Sequence, residues 1–345
     1  LFRSAEGSTV TLVRGDDLRV VGTFVPFPGY SGRLLTAVGD VDADTIPDVA
    51  VVGVDGDANP WAAYRGATGW QQPIARGADV PLWDTIGSIA LGDLNADGYD
   101  DLVVGSGEGA APQVIALDGA DGGVLVDFLA YDETFRGGVN VAVGMIREGG
   151  RNTLITGSGP GMPGSVRTWD FDLFGDAEGV MPDLHDRIRP TMTGEHVITE
   201  ITGGVSVETG FPYALTGGFA AIAVSPMHGP GQVILLREAV AHGPGGYSVS
   251  GVARPPDPDP VRPITLEVTD RLDLVGAGYT DGADAAFVST PTGARLVIAP
   301  PGGGTVSVWD RVGSEEAAAA GILSAPTPFV RDADFDFEGS EVSGI

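Results

Sequence analysis

Cysteine is absent from this chain, and so is lysine: all 19 basic residues are arginine. Without cysteine there is no disulfide framework, thiol catalysis or zinc–thiolate site. Histidine is scarce, and His185, His196, His228 and His242 have no metal-ligand spacing to one another. No Gly-x-Ser-x-Gly elbow, P-loop lysine or zinc motif occurs, so the sequence offers no catalytic constellation. Positive charge is short as well. The 47 acidic residues leave a net charge of −28, a surface that repels nucleic acid and anionic membranes. No apolar run approaches the ~18 residues a membrane helix needs, so no membrane insertion is expected. The chain starts at Leu1 with neither methionine nor signal peptide, as expected of a mature or excised segment of a larger surface polypeptide or assembly.

What is present points to strands. Glycine (54 residues) and proline (25) are frequent, long amphipathic helical patterns are missing, and mean hydropathy is +0.13. That combination describes a folded chain of many short strands joined by turns.

The stretch Leu91–Gly109 organises the rest. Oxygen-bearing side chains stand at Asp93, Asn95, Asp97 and Asp101, positions 1, 3, 5 and 9 of an acidic loop, and an apolar run and a glycine turn follow. Donors at alternate positions converge only if the backbone curls tightly, which Gly98 permits. The carbonyl of Tyr99, at position 7, would complete the set. Hard oxygen ligands without nitrogen or sulfur favour calcium. The same pattern occurs upstream at Asp40, Asp42, Asp44 and Asp48, with Ile46 offering the position-7 carbonyl, and Asp93 stands 53 residues after Asp40. A third copy is read at Asp332, Asp334 and Asp336, making two calcium sites with a third as a weaker candidate.

A period near 50 residues signals a solenoid, propeller or array. Strand-end markers recur at Gly53, Gly105, Gly157, Ser225, Ser289 and Gly344. Third strands follow at Gln113–Leu117, Ser165–Trp169, Gln232–Leu236 and Thr305–Trp309, and a fourth at 123–131. Four short strands per repeat make a propeller blade. The 53-residue interval also carries Asp332 across the joined termini to Asp40. Strands three and four at the N-terminus would therefore complete a blade begun at the C-terminus, closing the ring and removing exposed edges. The fold expected is all-β: a single β-propeller domain of four-stranded antiparallel blades, six favoured and seven the alternative. The blades are read as 325–345 with 1–32, then 33–86, 87–136, 137–195, 196–264 and 265–324.

The Asp-x-Asp/Asn-x-Asp-x-x-x-Asp loops, the strand running into Gly105-Ser106-Gly107, and Phe135-Arg-Gly-Gly-Val-Asn-Val141 resemble FG-GAP/VCBS repeats, the blades of integrin α-like propellers. The resemblance is specific over 33–170, extends to 325–345 with 1–32, and weakens over 171–324. It implies calcium in the blade loops, an extracellular or cell-surface setting, and adhesion or ligand binding; such propellers commonly have seven blades.

Other motifs carry less. Gly105–Gly109 imitates a dinucleotide turn but leads into a strand instead of a helix. Arg14-Gly15-Asp16 spells an integrin-recognition tripeptide where hairpin punctuation is ordinary. Trp169 and Trp309 hold equivalent third-strand positions that suit packing between blades, whereas Trp61, Trp70 and Trp83 are candidates for sugar stacking. The expected function is a secreted, calcium-stabilised, non-catalytic binding, adhesion or scaffold module. A carbohydrate-binding propeller is the first alternative and a propeller enzyme such as a polysaccharide lyase the second. The partner would be a protein or glycan bound at a loop face near the insertions at 170–195 and 254–263.

Overall fold

The computed structural model describes residues 2–4, 9–13, 19–55, 59–74, 85–146, 151–172, 189–210, 221–239, 263–274, 278–290, 293–300, 305–311, 329–336 and 340–341. Arg14-Gly15-Asp16, Trp83, His185, His242, most of the 170–195 insertion and nearly all of the 254–263 insertion lie outside them.

The chain is an all-β propeller of four-stranded antiparallel blades. Five blades are built from consecutive strands. The first contains β4 (Arg33–Gly39), β5 (Asp48–Val54), β6 (Trp61–Tyr64) and β7 (Pro73–Ile74). The second contains β8 (Ile86–Gly92), β9 (Asp101–Ser106), β10 (Gln113–Leu117) and β11 (Val124–Leu129). In the third are β12 (Val139–Gly144), β13 (Thr153–Ser158), β14 (Gly164–Asp172) and β15 (Arg189–Ile198). The fourth holds β16 (Val205–Gly210), β17 (Ala221–Pro226), β18 (Gln232–Glu238) and β19 (Leu266–Asp273). The fifth holds β20 (Asp284–Thr290), β21 (Gly293–Ala299), β22 (Thr305–Arg311) and β23 (Phe329–Asp336). A further four-stranded sheet is mixed: β24 (Ser340–Glu341) pairs with β1 (Phe2–Ser4), followed by β2 (Val10–Val13) and β3 (Val20–Phe24). The sequence count of six includes such a mixed sheet as a blade; contiguous chain alone builds five.

Continuous apolar runs become second strands because those strands are covered on both faces. Every residue of β5, β9, β13 and β17 is buried, the pattern of a sheet packed between two neighbours. Five hydrophobic clusters fill the spaces between successive sheets. One joins Val10 and Leu12 of the mixed sheet to Leu34, Val49 and Val51 of the first blade. The next joins Leu35 and Val52 to Leu91 and Leu117, and three more join the second blade to the third, the third to the fourth, and the fourth to the fifth. First strands pack in succession, β4 on β8, β8 on β12, β12 on β16 and β16 on β20.

Fourth strands face outward and are half exposed, as in β3, β11 and β19. In five sheets the pairing of third and fourth strands shifts register once, leaving Val21, Leu125, Thr193, Thr269 or Asp332 as the extra residue. Such a bulge twists an edge away from further pairing. Thr193 and Thr269 donate their hydroxyls to carbonyls of the third strand, Thr168 and Leu235. The exception is β7, only two residues long and begun by a proline, which blunts the edge by other means.

Backbone crossings between blades require glycine at Gly138 and Gly204. Both have positive φ, 78° and 86°, and a Cβ would lie 2.6 Å from Gly107 C and 2.9 Å from Gly159 C respectively. Among the described residues no helix is long and apolar enough to cross a membrane.

Three expectations are corrected. Asp332, Asp334 and Asp336 are not in a blade loop: they lie in β23, with Ser307 opposite Asp334 and Thr305 opposite Asp336. Donors at every second position share one strand face as readily as they line a curled loop, and nothing from 332 to 336 supplies the curl. The C-terminus contributes the first strand of the mixed sheet and the N-terminus the other three, where two from each end were expected. Ser289 lies in the first strand of the fifth blade, whose second strand is β21. Only residues 291 and 292 separate those strands, so the segment Gly278–Asp284 joins two blades.

Candidate metal centre in two blade loops

The loops between β4 and β5 and between β8 and β9 share one hydrogen-bond skeleton. In the first, Asp40 accepts the amides of Asp44 (3.1 Å) and Thr45 (2.8 Å), and Asp44 accepts that of Ile46 (2.8 Å). In the second, Asp93 accepts the amides of Asp97 (3.2 Å) and Gly98 (3.1 Å), and Asp97 accepts that of Tyr99 (2.9 Å). Position 4 turns left-handed in both, at Ala43 and Ala96. Position 6 does so again, freely at Gly98 (φ 92°) but with strain at Thr45 (φ 68°), a β-branched residue.

The ninth position anchors each loop. Asp48 and Asp101 are fully buried. Asp48 accepts the amides of Val41 (3.1 Å) and Gly66 (2.7 Å); Asp101 accepts those of Leu94 (2.8 Å) and Gly119 (2.9 Å). One carboxylate thus ties the loop's entry to the turn after the third strand. Burial pushes the Asp48 carboxyl up and the Asp101 carboxyl up to about 8, with Asp42 and Asp44, or Asp118 and Asp97, adding like-charge repulsion. Buried carboxylates crowded this way favour a compensating cation.

Asp40, Asp42 and Asp48 bring ligand oxygens within 4.8 Å of one another, the one such group among the described residues. Asp42 Oδ1 is buried with no hydrogen-bond partner. Its other oxygen accepts from Arg65 Nε at 2.5 Å. An orphaned carboxylate oxygen beside other carboxylates, with no nitrogen or sulfur donor in the set, fits a hard divalent cation. In the second loop Asn95 Nδ2 donates to Asp97 Oδ2 (3.0 Å) and to Asp118 Oδ2 (3.2 Å).

Sequence reasoning misses three residues here. Asp100 accepts the amide of Asp40 through Oδ2 at 2.7 Å and donates its own amide to the Asp40 carbonyl at 2.9 Å, joining the two loops across blades. Arg65 and Asp118 follow their third strands and face the loops from outside. Their signal is the 53-residue period, which sets Arg65 over Asp118 as it sets Asp40 over Asp93. A cavity of about 10 Å³ between the first two blades touches Asp100, Asp118 and Trp61, room for roughly one water.

The described tryptophans pack into the fold. Trp169 donates to Thr156 Oγ1 and packs edge-on against Phe128, and Trp309 donates to Ser307 Oγ. Trp61 and Trp70 are partly buried against the clusters flanking the first blade. Residues 107–112 form a corner running from β9 into β10, the strand expected.

Comparison with known proteins agrees with this architecture. Residues 86–126 match the FG-GAP repeat, the stretch from β8 into β11 that contains the second loop. No curated protein is similar in sequence at a significant level. A functionally unknown protein from Desulfotomaculum acetoxidans DSM 771 superposes with TM-score 0.51 at 13% identity, over 97% of this chain and 79% of that one. Weaker likenesses are the Dos1 propeller (TM-score 0.40, 12% identity, 98% and 68% covered) and the exotype rhamnogalacturonan lyase YesX (0.38, 12%, 85% and 57%). With four-stranded antiparallel sheets packed in succession around the second acidic loop, the chain is a β-propeller that carries an FG-GAP repeat at residues 86–126.

Proposed function

We propose that this chain is a calcium-braced, six-bladed propeller that works outside the cell as a non-catalytic binding module. The observation carrying the brace is the Asp40, Asp42 and Asp48 group with its orphaned Asp42 oxygen. Calcium would be held by Asp40, Asp42, Asp44, Asp48 and the Ile46 carbonyl in the first loop. Asp93, Asn95, Asp97, Asp101 and the Tyr99 carbonyl would hold it in the second. Bound, it neutralises carboxylates that burial otherwise disfavours. The mixed sheet closes the ring, with β24 completing the succession of first strands between β20 and β4.

Strand direction supports one ring face as the binding face. In an antiparallel blade the first-to-second and third-to-fourth connections leave from the same end, as the contacts of Arg65 and Gly119 with the acidic loops require. The third-to-fourth connections are short in the first two blades, residues 65–72 and 118–123, and longer at 173–188, 239–265 and 312–328. A partner, protein or glycan, is therefore assigned to that ring face, on the blades that lack the acidic loop.

Calorimetric titration of chelator-stripped protein tests the brace: two calcium equivalents should bind, and no binding would overturn the reading. A screen of cell-surface glycans and proteins with calcium tests the role. A partner lost when 173–188 is replaced by a short turn supports it; binding that survives replacement of all three long connections contradicts the assigned face.

A further inference from the structure

Arg65 and Asp118 occupy the same place in successive blades, one residue past the third strands β6 and β10. Each is followed by a glycine whose amide bonds the ninth-position aspartate. Each faces position 3 of its own acidic loop, and there the chemistry reverses. In the first blade a guanidinium meets a carboxylate, Arg65 Nε on Asp42 Oδ2. In the second a carboxylate meets an amide, Asp118 Oδ2 receiving Asn95 Nδ2. The exchange of Asp42 for Asn95 removes one carboxylate from the second loop, and Asp118 returns it from another strand end.

Asp118 is only 4% exposed. Its Oδ1 is committed to the turn that follows, accepting the amides of Ala120 (2.6 Å) and Asp121 (3.1 Å). That turn aims Oδ2 at the loop. One amide nitrogen serves both Asp97 Oδ2 and Asp118 Oδ2, so two carboxylates converge on a single neutral donor. In the first blade the corresponding place already holds a full positive charge.

We propose that Asp118 is an additional cation ligand of the second loop and that Arg65 supplies a built-in positive charge at the matching place in the first. The two sites therefore differ in affinity, the second binding tighter. The inference rests on the calcium reading above. Affinity in oxygen-ligand sites follows the number of charged ligands. The first loop sets four carboxylates against the Arg65 guanidinium, while in the second the place of Arg65 is taken by Asp118, itself a fourth carboxylate. A gap of about tenfold or more in dissociation constant is expected.

The experiment is calorimetric titration with calcium alone of wild type, Asp118→Asn and Arg65→Ala. Asparagine at 118 keeps an acceptor for the Ala120 amide, and melting with chelator present checks that each variant is folded. Wild type should bind in two separated steps. Asp118→Asn should weaken the tighter step about tenfold or more and leave the weaker within twofold; Arg65→Ala should tighten the weaker step. If Asp118→Asn leaves both steps unchanged while Asp93→Asn removes the tighter one, the second loop binds without Asp118 and the inference is overturned. A wild type that binds no calcium would overturn the calcium reading itself.

Discussion

The first two blades and the third close the same corner by different chemistry. In the first two, a fully buried aspartate at loop position 9 ties the loop's entry to the turn after the third strand. In the third, position 9 is Thr153, equally buried, and its hydroxyl donates to Asp170 at 3.1 Å. Asp170 stands where the other blades have Arg65 and Asp118. Position 1 changes with it, from Asp40 and Asp93 to Met145. Position 2 does not: Val41, Leu94 and Ile146 are all buried. The apolar plug is common to the three corners and the charge is not. In the third corner the position-9 hydroxyl meets the single buried carboxylate of Asp170, whereas the first two corners cluster several carboxylates, which call for a counter-ion.

The comparison is broken most severely at Asp101. With calcium present, Asp101→Ala strands the Leu94 and Gly119 amides in the interior and should cost on the order of 3 kcal/mol, measured by denaturant unfolding. A cost under about half a kilocalorie would show that the loop closes without its anchor.

A smaller effect sits between the fourth and fifth blades. Glu208 on β16 is pushed up to about 8 and Asp284 on β20 to about 6, both chiefly by burial, with Asp284 adding repulsion at Glu208. Carboxyls with raised folded-state pKa values bind more protons folded than unfolded, so stability falls as pH rises. The fall should span pH ~4 to 8 and amount to about 1–2 kcal/mol, the side chains being only part-buried. It should flatten in Glu208→Gln, and an unchanged profile in that variant would remove Glu208 as its source.

Thr153→Val tests the third corner. Loss of one buried hydrogen bond should cost about 1 kcal/mol and leave the calcium dependence of melting unaltered; altered dependence would tie the third blade to the cation sites. The smallest effect is a gain. Thr45→Gly relieves a β-branched residue at positive φ and should stabilise the calcium-loaded form by up to about 1 kcal/mol, read as a raised melting temperature.

Much of the fold and of the two loops is legible in the order of residues alone. Val49–Val52 and Leu102–Val104 are apolar without interruption because both faces of a second strand are covered, and that run with its acidic approach repeats. The acidic tail misleads because Asp332, Asp334 and Asp336 obey two rules at once. Alternate spacing is the period of a strand as well as that of a cation loop, and the glycine at position 6 that marks the second loop is missing from the first, where Thr45 turns left-handed. The first strand of the fifth blade passes for a second because β20 and β21 are both short apolar runs. Arg65, Asp100 and Asp118 escape because their roles depend on which strand ends meet. Period alone sets Arg65 over Asp118, but nothing in either local sequence says that each faces position 3 of an acidic loop.

The central claim is that a cation braces the first two blades, and thermal unfolding with and without calcium tests it most directly. Chelation should lower the melting temperature by several degrees or more, and readded calcium should restore it. An identical melt in chelator and in millimolar calcium would contradict the claim.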